Sequence, residues 1–162
     1  MSPTNGSEVA DKGTLDRSHK GEAAPDFAFT DSRGNKRAVA DFAGKPVLLN
    51  LWATWCAPCV KEMPTLDALA VARGDALHVL TISQDTDGAD TKAVEKVTPF
   101  FEKARFNKLQ PWLDPEAMWS LNMGVNLPTT ILYDSAGKEV WRYSGDMDWM
   151  GAKAAALVAE AK

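Results

Sequence analysis

The stretch that decides the interpretation of this chain reads Val47-Leu48-Leu49-Asn50-Leu51-Trp52-Ala53-Thr54-Trp55-Cys56-Ala57-Pro58-Cys59. Its first six residues are almost all apolar, which predicts a strand buried on both faces. A helical pattern begins near Cys56, so Cys56 and Cys59, the only two cysteines of the chain, lie where a strand passes into a helix. Unpaired N–H groups and the positive end of the helix dipole favour thiolate over thiol there, and the thiolate is the nucleophile. This pattern predicts reversible thiol–disulfide chemistry.

Length and composition narrow the class of protein. The chain has 162 residues, 45% of them hydrophobic and 25% charged, with a formal net charge of -4. These values indicate one domain with a real hydrophobic core, and they lack the basic excess of a nucleic-acid-binding protein. No apolar run approaches the roughly 20 residues that a membrane span requires, and the N-terminus shows no signal segment. Two cysteines do not make a disulfide scaffold.

Residues 1–24 are mostly polar and show no periodic apolar face, which predicts a flexible leader ahead of a single domain at 25–162. A hairpin is expected next, with arms at 25–30 and 36–40 around the turn residues 31–35. The remaining expected elements are a helix at 56–73, a strand at 77–82, a helix at 91–105 capped by Asp90, a short strand at 112–113, a short helix at 116–121, a strand ending at Tyr133, a strand at 139–144 and a last helix capped by Asp148.

Several of these motifs together resemble the TlpA/ResA group of extracytoplasmic thioredoxin-like proteins. They are the stretch from Leu49 to Cys59, Glu62-Met63-Pro64 just after it, the leading hairpin, an extra helix between strands, and Leu127-Pro128-Thr129. The resemblance runs from about Pro25 to the C-terminus. It implies an α/β, thioredoxin-like fold with a mixed central sheet flanked by helices, an N-terminal β-hairpin and an extra helical insertion between strands.

The same resemblance implies roles for individual residues. Cys56 would be the exposed nucleophile, Cys59 the buried resolving thiol and Pro128 a cis-proline facing the disulfide. Cytoplasmic thioredoxins have a buried Asp where this chain has Asn50, and an amide cannot exchange a proton. Glu62 lies three residues beyond Cys59 and hence on nearly the same helix face, so we expect it to assist deprotonation of Cys59. The competing interpretation of Glu62 is a solvated helix residue.

A docking surface for a partner protein is expected around the disulfide. Trp55 precedes the nucleophile and is expected to border this surface together with Ala57, Pro58, Val125 and Leu127. The other tryptophans are more typical of core or supporting positions; they are Trp52, Trp112, Trp119, Trp141 and Trp149.

The resemblance implies a reductase of disulfides in partner proteins. The implied clients are apocytochrome c before haem attachment or the copper-site cysteines of cytochrome oxidase, and the implied electron donor is a membrane thiol transporter of the DsbD or CcdA type. We expect a monomer in the periplasm or another extracytoplasmic compartment. Whether the full-length protein also carries a membrane anchor outside this chain stays an open alternative. We expect no cofactor beyond the Cys56–Cys59 disulfide, and no metal site, because zinc takes about four ligands and the chain adds only His19 and His78 to its thiols.

Three rival functions stay open at this point. A dithiol oxidase of the DsbA sort would use the same fold and motif, and reduction potentials in this superfamily span about 150 mV between thioredoxin and DsbA. A copper-handling assembly protein is a second rival, although the chain lacks a well-placed third ligand. A non-enzymatic interaction domain is the third, and it is disfavoured because both thiols remain.

Overall fold

The computed structural model describes residues 12–161. Its strands are β1 (Thr14–Asp16), β2 (Phe29–Thr30), β3 (Lys36–Arg37), β4 (Val47–Trp52), β5 (His78–Ser83), β6 (Trp112–Leu113), β7 (Thr129–Tyr133) and β8 (Glu139–Ser144). Its α-helices are α1 (Ala57–Arg73), α2 (Ala93–Ala104), α3 (Met118–Met123) and α4 (Ala152–Val158), with single 3₁₀ turns at Val39–Phe42 and Gly74–Ala76. None of these helices is long and apolar enough to cross a membrane.

Within residues 12–161 the strands form one mixed sheet in the order β1-β8-β7-β4-β5-β6-β2-β3. Strand β4 pairs in parallel with β5 and antiparallel with β7. All six of its residues are buried, as the continuous apolar run predicts. The predicted thioredoxin-like fold is confirmed, including the short hairpin of β2 and β3 and the inserted helix α2 between β5 and β6.

The two faces of β4 build two cores, because successive side chains of a strand point to opposite faces. Leu48 and Trp52 belong to a cluster that also contains buried residues of α1 and α4. Leu49 belongs to the opposite cluster, with Trp119 of α3. Asn50 lies two residues from both Leu48 and Trp52, so its side chain points to the same face as theirs, which α1 covers. A polar group is therefore held inside an apolar layer beneath the helix that carries the cysteines.

The prediction of a flexible leader is wrong for residues 12–24. Strand β1 pairs antiparallel with β8 over three residues, and Ala23 bridges to Lys138. The Gly21 N–H also donates to the Glu139 carbonyl at 2.8 Å. This segment is ordered by backbone hydrogen bonds to a strand far along the chain, and local composition carries no signal for such pairing. The rest of the predicted leader, residues 1–11, lies outside the described residues.

Helix ends differ from the predictions by a few residues. Helix α2 begins at Ala93 with Lys92 as its N-cap, and Asp87 rather than Asp90 accepts from the Ala93 N–H, at 2.8 Å. Helix α4 begins at Ala152 after Gly151, not after Asp148. Such ends depend on loop paths that periodicity does not define.

Candidate active site

The two cysteines form a disulfide at the start of α1, with Cα atoms 5.3 Å apart. Cys56 is the N-cap residue, and its Sγ accepts a hydrogen bond from the Cys59 N–H at 3.3 Å. Pro58 lies in the first turn, where a missing N–H has no intrahelical partner to lose. Cys56 is 5% exposed and Cys59 is 0% exposed. Cys56 is thus far less exposed than predicted in this oxidised form, but it is the cysteine of the pair that reaches solvent.

The predicted docking residues differ in how far they are exposed to solvent. Trp55 is 72% exposed. Ala57 and Pro58 are also exposed, whereas Val125 and Leu127 are partly buried. The exposed apolar ring of Trp55, next to Cys56 in the sequence, suits contact with a partner protein. The docking role itself stays a prediction.

The peptide bond between Leu127 and Pro128 is cis, as the family resemblance implies. Pro128 is buried and directly precedes β7. In the antiparallel register Leu51 of β4 pairs with Thr129 of β7. The end of β4 that leads to Cys56 therefore lies at the same end of the sheet as Pro128, although the two residues are far apart in sequence.

Glu62 is fully buried within α1, so its interpretation as a solvated helix residue is wrong. Within the described part of the chain, three N–H groups donate to its carboxylate. Asn50 Nδ2 donates to Oε2 at 3.0 Å, while the Trp149 indole N–H and the Met147 backbone N–H donate to Oε1 at 2.9 and 3.2 Å. These donors come from β4 and from the connection between β8 and α4, so the carboxylate joins three separate parts of the fold.

Burial raises the pKa of Glu62 from 4.5 to about 7, because the ionised form loses its hydration. The hydrogen bonds from Trp149, Asn50 and Met147 lower the pKa, and the negative charge of Asp146 raises it further. Burial outweighs the donors. Glu62 can therefore take up or release a proton near neutral pH, one helical turn from Cys59.

Asn50 is a buried hydrogen-bonding residue, as predicted from its place in the apolar strand. Besides its bond to Glu62, Asn50 Nδ2 donates to Thr130 Oγ1 at 3.0 Å. Both protons of the amide are thus used, one toward α1 and one toward β7.

The role of Trp149 was not evident from the sequence. It was expected in the core, and it is there, stacked on Trp141 with ring centroids 6.2 Å apart. Its indole N–H reaches Glu62 over a separation of 87 residues. No local pattern signals a contact of that range.

Asp85 lies in the connection between β5 and α2, is only 1% exposed, and holds the segment before the cysteines through Thr54. Its carboxylate accepts from the Thr54 N–H at 2.9 Å, from the Thr54 hydroxyl at 2.6 Å and from the Ser83 hydroxyl at 2.6 Å. The available signal was its position directly after a buried parallel strand, at the end of the sheet where β4 leads into the cysteine motif.

The two histidines lie apart from the disulfide in the fold. His19 approaches Glu22 at 3.1 Å, and His78 packs edge-on against Phe42. Burial lowers the pKa of His78. Among residues 12–161 no three His, Cys, Asp or Glu side chains gather as a metal site.

A family model described as redoxin matches residues 19–158. The chain belongs to the redoxin family. Relatives of this redoxin include the thiol-disulfide oxidoreductase ResA of Geobacillus kaustophilus strain HTA426, which is 34% identical over 131 residues, or 78% of this chain and 70% of the relative. With its disulfide of Cys56 and Cys59, this redoxin is a ResA-like thiol–disulfide oxidoreductase.

Two solved structures show the same fold as this redoxin. The pneumococcal exposed lipoprotein thioredoxin of Streptococcus pneumoniae strain TIGR4 superposes with a TM-score of 0.67 and 27% identity, over 84% of this chain and 98% of the other. A Chlorobium tepidum protein assigned as thiol:disulfide interchange protein DsbE superposes with a TM-score of 0.69 and 26% identity, over 87% and 94%.

Proposed function

We propose that the protein reduces disulfides of partner proteins outside the cytoplasm, in cytochrome c maturation or in assembly of the cytochrome oxidase copper site. The observation that carries the direction is the buried carboxylate of Glu62 beside the cysteine pair. A strong dithiol oxidant such as DsbA owes its potential to stabilisation of its reduced form. An ionised carboxylate one turn from Cys59 opposes a thiolate there, and this favours the disulfide and hence a reductant.

The proposed reaction conserves electrons and protons. The Cys56 thiolate attacks a client disulfide, forms a mixed disulfide and expels one client sulfur as a thiolate. Cys59 then gives its proton to Glu62, and its thiolate attacks the Cys56 sulfur. The second client sulfur leaves, so the client has gained two electrons and the protein holds the Cys56–Cys59 bond. Glu62 supplies the proton acceptor that Asn50, an amide, cannot supply.

The cycle closes when an outside dithiol reduces the Cys56–Cys59 bond. We propose a membrane thiol transporter of the DsbD or CcdA type as this donor, with no cofactor beyond the disulfide. Extracytoplasmic location is supported by the exposed lipoprotein among the structural neighbours and by the likeness to ResA. The monomeric state is part of the same proposal.

The direction is tested by equilibrating the protein with glutathione buffers and measuring its reduction potential. We expect a reduction potential close to that of thioredoxin, about -270 mV. A potential close to that of DsbA, about -120 mV, would overturn the reductase proposal. In parallel, Cys59→Ser should trap mixed disulfides with client proteins through Cys56, and Cys56→Ser should trap none. Absence of trapped clients together with tight Cu(I) binding by the wild type would favour the copper-handling alternative.

The docking surface is tested with Trp55→Ala. Because Trp55 is 72% exposed, its removal should slow exchange with a protein disulfide but leave exchange with glutathione disulfide unchanged. Val71→Ala is the matched control, since Val71 is 49% exposed on α1, about 22 Å along the helix from its N-cap Cys56. Equal effects of the two variants on the protein substrate would contradict the proposed surface.

A further inference from the structure

Asn50 has an unbalanced set of hydrogen bonds for a fully buried amide. Its Nδ2 donates to Glu62 Oε2 and to Thr130 Oγ1, each at 3.0 Å. Its Oδ1 is buried and has no hydrogen-bond partner among the described residues. Buried polar atoms are nearly always paired, so the bare oxygen beside the carboxylate requires a physical reason.

The two oxygens of Glu62 are not equivalent. Oε1 accepts from the indole of Trp149 and the backbone N–H of Met147, and both of these groups can only donate. A proton on Oε1 would displace at least one of these donors, so the proton of neutral Glu62 belongs on Oε2. There it would meet the NH₂ group of Asn50, which cannot accept it.

We propose that Asn50 is a positioning residue whose carboxamide turns over, by about 180° about its Cβ–Cγ bond, whenever Glu62 changes protonation state. With Glu62 ionised, Nδ2 donates to Oε2 as observed. With Glu62 neutral, Oδ1 takes the place of Nδ2 and accepts from the Oε2 hydroxyl and from the hydroxyl of Thr130. The inference rests on the proposed transfer of a proton between Cys59 and Glu62, and the rotation itself moves no proton or electron.

Thr81 provides the second half of this arrangement. It pairs with Asn50 in the parallel register of β4 and β5, so the two side chains are neighbours on one face of the sheet, with the strands about 4.8 Å apart. The Thr81 hydroxyl is buried and also lacks a partner among the described residues. After rotation it is the acceptor next to the displaced NH₂ group. Asn50 Oδ1 and the Thr81 hydroxyl thus lack hydrogen-bond partners while Glu62 is ionised, and both gain partners when Glu62 is neutral.

Among the groups around Glu62, the Asn50 amide is the one that can hydrogen-bond both the ionised and the neutral carboxyl group. From the connection between β8 and α4, Asp146 is the charged side chain that acts on Glu62, and Cys59 lies one helical turn before Glu62 on α1. The sheet presents the neutral side chains of Asn50 and Thr130. A second carboxylate at position 50 would repel ionised Glu62, and a leucine would bond neither form, whereas an amide bonds both.

The direct test is nuclear magnetic resonance of the oxidised wild-type protein between about pH 5 and pH 9, following the Glu62 carboxyl carbon and the Asn50 side-chain amide. We expect the amide protons to show close contacts with Thr130 at high pH and with Thr81 at low pH, with the same midpoint as Glu62. If Glu62 titrates while the amide contacts stay with Thr130, the rotation is refuted and the proposed function stands. If Glu62 does not titrate, the rotation and the proposed proton transfer to Glu62 both fail, while the reduction potential still decides the reductase direction separately.

Variants separate a rotating amide from a fixed donor. Trp149→Phe removes a group that can only donate, so it should raise the Glu62 midpoint by about one to two pH units. Asn50→Leu removes one bond from each form and should move the midpoint by less than about half a unit. Thr81→Val should lower the midpoint, because only the neutral form uses the Thr81 hydroxyl. A rise for Asn50→Leu as large as that for Trp149→Phe, or no change for Thr81→Val, would overturn the proposal.

Discussion

Replacement of Glu62 by glutamine should remove a pH-dependent loss of stability from the oxidised protein. Burial raises the pKa of Glu62 from 4.5 to about 7, so the folded state holds this proton more tightly than the unfolded state does. Its contribution to stability is fully present below pH 4.5 and is lost as the pH rises through 7. At about 1.36 kcal/mol per pH unit, a rise of about 2.5 units amounts to about 3 kcal/mol.

The measurement is the free energy of unfolding in urea, for oxidised wild type and Glu62→Gln, at steps from about pH 4 to pH 8. Between these limits the wild type should lose about 3 kcal/mol more than Glu62→Gln, which cannot ionise. Glu102→Gln is the control, since Glu102 is an exposed glutamate of α2, and it should follow the wild-type curve. Parallel curves for wild type and Glu62→Gln would refute the assignment of a proton to this carboxyl group near neutral pH.

Three further substitutions distinguish residues that position the cysteine motif, which should affect both the exchange rate and stability, from a residue that should affect stability alone. Asp85→Asn weakens the bonds to the Thr54 N–H and hydroxyl, so it should reduce the free energy of unfolding by about 2 kcal/mol and slow exchange at Cys56 with glutathione disulfide. Thr54→Val keeps the backbone bond to Asp85 and should lose about half as much in the same assays. Asp67→Asn weakens a carboxylate that accepts the N–H groups of residues 107–109, so it should reduce stability by about 2 kcal/mol without changing the exchange rate. Equal exchange rates for Asp85→Asn and Asp67→Asn would contradict the positioning role of Asp85.

The part of the fold nearest the cysteines was predictable because its signals are local. The apolar run at residues 47–52 coincides with β4, and the predicted end of the first helix at Arg73 coincides with the end of α1. The cis bond before Pro128 came from the family resemblance, since only about 5–6% of X–Pro bonds in folded proteins are cis and sequence alone does not mark them.

The surroundings of Glu62 were not predictable to the same degree. Its spacing from Cys59 placed it on the correct helix face. Its full burial, however, depends on the connection after β8, where Trp149 contacts Glu62 although the two residues are 87 positions apart in the sequence. Strand β1 was missed for the same reason, because three residues of mixed polarity carry no periodic pattern and are ordered by their partner β8. Long-range pairing, and not local propensity, determines these features.

The edge strands of the sheet affect whether another polypeptide can add to it as an extra strand. Within residues 12–161 the sheet is bounded by β1, of three residues, and β3, of two. Terminal strands this short expose few unpaired backbone groups, so a neighbouring extended chain finds little template at either of these two ends. An extended polypeptide that meets either end of the sheet therefore has few backbone partners there, and this limits aggregation by strand addition at those two ends.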